Sequence, residues 1–261
     1  MLGWSINLFR IFGIQLAVHA TFFLLLAYVG LEGWQDGGLV GLAVNVGLTV
    51  AFFVCVVLHE LGHSLTARRY GVNVPRILLM PIGGMAEFDR IPRQPAAELL
   101  ITAAGPAVNF VIALLLFLAV GVPPGWPLHP DYPDSVTGLV QVLLNWNLAM
   151  GLFNLLPVFP MDGGRIFRAL VARRTTYLRA TWWAVMVGRG LSLSFGLIAI
   201  FYFKNYMLGL LFAFIFTAGN SEYRLLLRRE QEAAYWAEAA RQVAASTPPG
   251  DEPPLLQHGP N

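Results

Sequence analysis

An all-α integral membrane protein of about six transmembrane helices, with a short membrane-associated β-hairpin between the second and third, is the fold that three features of this sequence predict. The first is composition. Of 261 residues, 56% are hydrophobic and only 12% charged, about half the charge that a soluble domain of this length carries. The second is a series of six apolar segments, each near or above the ~20 residues a helix needs to cross the hydrocarbon core. The third is that cations crowd into alternate connections between those segments. A net charge of only +2, with no basic run interleaved with aromatics, excludes nucleic acid as a partner. The single cysteine rules out an intrachain disulfide. Arg10 precedes an apolar stretch long enough to stay as a span, so the chain is expected to begin with a retained segment rather than a cleaved signal peptide.

Taken in order, the first segment covers 14–31 and contains His19. The second, 39–68, is longer than a span requires, so its polar end should reach the interface or the helix should tilt. Residues 74–81 then read as a strand, Gly83-Gly84 as a turn and 85–88 as the returning strand of the hairpin. The third and fourth segments are 98–120 and 136–155; Pro157 and Pro160 stop the latter. The fifth and sixth are 182–203 and 206–227. Residues 1–227 form the expected membrane domain. Residues 228–261 form a polar tail, helical to about 245, then Pro-rich and disordered.

Orientation follows from the cations. Arg68, Arg69, Arg76, Arg90 and Arg93 follow segment two, and five further arginines, Arg165 to Arg179, lie between segments four and five. The connections at 32–38 and 121–135 hold no Lys or Arg, only acidic groups such as Glu32 and Asp131. The positive-inside rule then puts both termini and both Arg-rich loops in the cytoplasm, most simply at the cell membrane. Lys204, in a two-residue turn, is the exception.

The chemistry sits in segment two, where His59-Glu60-Leu61-Gly62-His63 follows an unbroken apolar run from Val50 to Leu58. HExxH sets two imidazoles one helical turn apart on one face, where both reach a single Zn²⁺, and leaves the glutamate free as a general base. At 1.5 Å per residue, His63 and His59 lie about 7 and 13 Å from the helix end at Arg68, below the cytoplasmic surface. Two histidines leave a catalytic zinc one protein ligand short. The best third candidate is Asp162, in Asn154-Leu-Leu-Pro-Val-Phe-Pro-Met-Asp-Gly-Gly-Arg165: it follows the end of segment four, on the same side as HExxH. A carboxylate held near the membrane needs a partner, and a divalent cation is a good one.

HELGH in an early span, followed about 100 residues later by NLLPVFPMDGGR, resembles the site-2 protease family of intramembrane zinc proteases. Pro81-Ile82-Gly83-Gly84-Met85 and Ala104-Gly105-Pro106-Ala107-Val108-Asn109 are similar to that family's pattern as well. The likeness is to its compact branch, without PDZ or CBS domains. The resemblance implies His59, His63 and Asp162 as ligands of one Zn²⁺, Glu60 as the catalytic carboxylate, and Asn154 lining the site as a donor to the developing oxyanion. It also implies cleavage, by metal-activated water, of single-span or membrane-anchored regulatory proteins within the bilayer. The hairpin offers an edge that could hold an unwound substrate by strand addition.

Plainer roles suit the remaining polar residues. Cys55 reads as a small apolar filler, His19 as a hydrogen-bond partner for a neighbouring helix, and Asn109 and Asn147 as interhelical hydrogen-bond formers. Arg189 should snorkel to the interface. Two alternatives stand beside the main reading. One is a zinc protease of the type that trims prenylated CAAX proteins, which takes a glutamate as third ligand, with Glu98, Glu222 and the tail glutamates available. The other is a non-catalytic metal-binding scaffold.

Overall fold

Strands, rather than a helix, begin the chain. The computed structural model describes residues 4–89, 92–121 and 135–246; the last part of the expected tail, 247–261, and most of the 121–135 connection lie outside them. In order the elements are β1 (Ser5–Ile11), β2 (Ile14–His19), α1 (Ala20–Arg69), β3 (Arg76–Met80), β4 (Gly83–Glu87), α2 (Pro95–Val120), α3 (Val136–Asn154), α4 (Asp162–Ala172), α5 (Tyr177–Phe201) and α6 (Tyr206–Ser246).

The hairpin expected after segment two is β3–β4, antiparallel, with Leu78 opposite Met85; its turn is Pro81-Ile82 rather than Gly83-Gly84, which pair with Met80 and Leu79 as the start of β4. It is half of a larger sheet. β1 and β2 form a second hairpin across Phe12 and Gly13, both at positive φ, the geometry whose twist suits a two-residue turn. β2 then lies parallel to β3, Leu16 opposite Ile77, in a sheet ordered β1-β2-β3-β4. The all-α expectation is corrected accordingly, and residues 14–19, read as the start of a span, are a strand. Ile14, Leu16 and Val18 are buried in the core that α1 and β3 share, a period-2 pattern that an apolar run conceals.

α1 contains the rest of the first expected segment and all of the second. Its backbone leaves helical geometry at Gly37 (φ −146°, ψ 20°) and Gly38 (φ 59°, ψ −139°), and the two legs return antiparallel. Asn45 Nδ2 donates to Val29 O at 3.4 Å, and Phe22 meets Phe53 with ring centroids 4.6 Å apart. A Cβ on Gly33 would lie 2.4 Å from Gly41 O, so only glycine permits this approach. Four helices among the described residues, α1, α2, α3 and α5, are long and apolar enough to cross a membrane, and the chain is an integral membrane protein. α6 is not among the four, because a polar run from Thr217 to Arg224 dilutes its apolar first half. It continues without a break to Ser246.

Two compact units emerge. One holds the sheet and α1 to α4; the other holds residues 158–160 with α5 and α6. In the second unit, Arg189 Cζ sits 4.7 Å from the centroid of the Phe216 ring, a cation–π contact with the next helix. In the first, α4 is tied to α2 by an ion pair: Arg168 Nε and Nη2 donate to Glu98 Oε1 at 2.8 and 2.5 Å. Both side chains are buried, at 2% and 1% exposure. Such a pair contributes little net stability over apolar replacements, yet losing one member is costly. Arg168→Met is therefore expected to lower stability by about 3–5 kcal/mol, with the Glu98→Met/Arg168→Met double variant recovering most of the loss. Denaturant unfolding in detergent checks this; a double variant as unstable as the single one would contradict it.

Candidate metal centre

His59 and His63 lie one turn apart on the second leg of α1, both buried, and Asp162 is the first residue of α4. Their ligand atoms form a nearly regular triangle. His59 Nε2 and His63 Nε2 are 3.0 Å apart, and Asp162 Oδ2 lies 3.3 Å from the first and 3.2 Å from the second. Zinc bonds of 2.0–2.1 Å in tetrahedral geometry put ligand atoms about 3.3 Å from one another, so the triangle matches one face of such a site.

The outer nitrogens determine which electrons face inward. His63 Nδ1 is 2.8 Å from Ile101 O, and a carbonyl can only accept, so Nδ1 carries the proton. His59 Nδ1 likewise donates to Asn109 Oδ1 at 2.5 Å. A neutral imidazole has one N–H, so both Nε2 atoms present lone pairs to the carboxylate. Asp162 Oδ2 is buried without a hydrogen-bond partner. Three electron-pair donors converging out of water need a cation among them, and the donor set of two imidazoles and one carboxylate suits zinc. Three protein ligands also leave a tetrahedral ion one open position, the mark of a catalytic rather than a structural site.

One face of α2 shapes this space. Ile101, Gly105 and Asn109 recur at four-residue intervals, which stacks them along one side of a helix. Ile101 and Asn109 supply the two acceptors, while Gly105 supplies absence: a Cβ there would lie 2.1 Å from His63 Nε2 and 2.8 Å from His59 Nε2. Glu60 projects to a different side of α1 and lies against β4, where a Cβ on Gly84 would come 2.6 Å from Glu60 Cγ. Asn154, the last residue of α3, donates its amide to Met150 O in its own helix at 3.0 Å, not to the triangle. His19 caps α1, its Nδ1 accepting from Thr21 N at 3.3 Å, rather than bridging to another helix. Cys55 is buried.

The structure thus brings together His59, His63 and Asp162 and sets Glu60 beside β4. The sequence reading kept Asn109 only as a second-tier candidate and missed that Ile101 and Gly105 share its α2 face. Its signal was present: Gly105 and Asn109 stand four residues apart in the Ala104–Asn109 run. Gly105→Ala should abolish binding of a divalent ion, since the methyl group would occupy the space at both Nε2 atoms, even though alanine suits a helix better than glycine. Metal content of the purified variant checks this; a full complement of ion would contradict it.

The chain's likenesses agree with this geometry. The model for "Peptidase family M50" matches residues 47–132 and 130–195. Zinc metalloprotease MJ0392 of Methanocaldococcus jannaschii is 38% identical over 231 residues, covering 86% of this chain and 62% of that protein. The Synechocystis protein sll0528 is 31% identical over 259 residues, 90% of this chain and 64% of its own. The chain therefore spans a little over three fifths of these two relatives. The solved site-2 protease from Methanocaldococcus jannaschii superposes with a TM-score of 0.58 at 38% identity, covering 84% of this chain and 95% of that one. The chain belongs to peptidase family M50.

Proposed function

We propose that this chain is an intramembrane zinc endopeptidase that cleaves transmembrane or membrane-anchored regulatory proteins and releases a cytosolic fragment. The observation that carries the reading is the buried triangle of His59 Nε2, His63 Nε2 and Asp162 Oδ2. These three residues would hold the ion. When bound, zinc acidifies a coordinated water to a pKa of about 7 and polarises the scissile carbonyl. Glu60 accepts a proton and returns it to the leaving amine. Its lodging against Gly84 supports this, because the same packing brings the general base beside β4. β3 is paired on both sides, so β4 holds the edge of the sheet next to α1. An unwound substrate segment added there would run past Glu60. Asn154 joins as an oxyanion donor once its amide leaves Met150 O.

In the same reading both termini and the opening of the site are cytoplasmic, and the membrane is the cell membrane. The spans number six: two legs of α1, then α2, α3, α5 and the apolar first half of α6. The Arg-rich connections support this orientation. Residues 1–227 form the protease proper and 228–261 a polar cytoplasmic tail. Two observations favour this reading over the CAAX type: Glu98 is held by Arg168, and Asp162 stands at the third corner beside both histidines.

Co-expression with a panel of single-span proteins tests the proposal. Wild type should generate fragments that Glu60→Gln does not, with at least a hundredfold loss of cleavage, while zinc content stays the same in both. Equal cleavage by Glu60→Gln would overturn the enzymatic reading and favour a scaffold. In the same assay, proline at Met85 or at Ala86 should block cleavage at whichever position points its N–H outward, and unchanged cleavage by both variants would dispose of strand addition. Asn154→Ala with unchanged turnover would remove that residue from the catalytic set.

A further inference from the structure

We propose that Asn147, which contacts neither histidine, is a positioning residue: through Asn109 it fixes which ring nitrogen of His59 carries the proton and so keeps Nε2 open to an ion. The inference rests on the metal-centre reading above and extends it to α3.

The direction of the relay begins at a backbone carbonyl. Leu143 O can only accept, and Asn147 Nδ2 donates to it at 2.8 Å. That turns Asn147 Oδ1 the other way, where it accepts from Asn109 Nδ2 at 3.0 Å. The same Nδ2 also points at Met150 Sδ, 3.5 Å away, so the NH₂ end of Asn109 is engaged on the α3 side. Only Oδ1 of Asn109 then remains to face His59 Nδ1 at 2.5 Å.

Asn109, Asn147 and His59 are all buried, two of them fully, so bulk water offers these groups no alternative partners. Each amide has one orientation that satisfies its neighbours, and the choice is passed from α3 through α2 to α1. With Asn147 Oδ1 removed, the Asn109 amide is free to turn and present NH₂ to His59. Nδ1 would then accept, and the ring proton would move to Nε2, into the space the ion needs. A plain interhelical hydrogen bond would contribute to stability alone; a relay contributes to metal affinity.

The test is zinc affinity of the full chain in lipid nanodiscs, measured by chelator competition, with the visible spectrum of the Co²⁺-loaded protein as a second readout. Asn147→Leu should weaken zinc about 10- to 100-fold and shift the cobalt bands. Asn147→Asp, which still accepts from Asn109 whether or not it is protonated, should recover most of that affinity. The Asn109→Ala/Asn147→Leu double variant should bind zinc no more weakly than Asn109→Ala alone, because the second residue acts through the first. If Asn147→Leu does not fold, Asn147→Ala carries the same comparison. Wild-type affinity in Asn147→Leu, or losses that multiply in the double variant, would overturn the relay. A wild-type chain that takes up no zinc would overturn the metal-centre reading itself.

Discussion

Two imidazole lone pairs and a carboxylate, held about 3 Å apart among apolar helices, repel one another unless a positive charge lies between them. That requirement organises the rest of the molecule. The second leg of α1 supplies both histidines from one face. α2 supplies the acceptors that hold their protons on the outer nitrogens, and at Gly105 the space an ion would fill. α4 supplies the carboxylate. The Glu98–Arg168 pair anchors α4 to the same helix that orients the rings, so the donors from α1 and α4 share one reference element. Buried charge that is a poor source of stability is well suited to fixing register, and here it fixes where Asp162 sits.

The neighbouring sheet gives this centre a direction. An ion with one open position needs a substrate delivered in extended form, and a helix keeps its carbonyls in its own hydrogen bonds. β4 lies at the sheet edge against the same helix that bears Glu60, joining a place to hold an unwound chain with a carboxylate able to carry protons. In the proposed function, the catalytic chemistry and the device for presenting a peptide are therefore separate elements of unit one that meet along α1.

How much of this was legible depends on the range of the signal. HExxH is local, and its helical spacing alone brings His59 and His63 together. Asp162 was legible because prolines, an Asp-Gly pair and the cation pattern all pointed to a helix end on the same side. The β3–β4 hairpin was legible from Gly83-Gly84 between short apolar runs, although the turn itself falls two residues earlier, at Pro81-Ile82. β1 and β2 were not, because Ile14 to His19 continues directly into the apolar start of α1 and period-2 alternation is lost in such a run. The expected interhelical hydrogen bonds of Asn109 and Asn147 are present, but the sequence could not join Glu98 to Arg168, 70 residues apart, or name His59 as the partner of Asn109. These are tertiary pairings with no short-range trace. For Asn154 the motif alone suggests a role, and its side chain is bonded to its own helix.

The claim on which all of this turns is that two imidazoles and one carboxylate share a single zinc ion. Zinc K-edge X-ray absorption on the full chain in lipid reads the ion's surroundings directly. The account predicts a first shell of nitrogen and oxygen alone, at about 2.0–2.1 Å, with outer-shell scattering from two imidazole rings. A sulfur shell near 2.3 Å, which only Cys55 or a methionine could provide, or the scattering of fewer than two imidazoles, would contradict it.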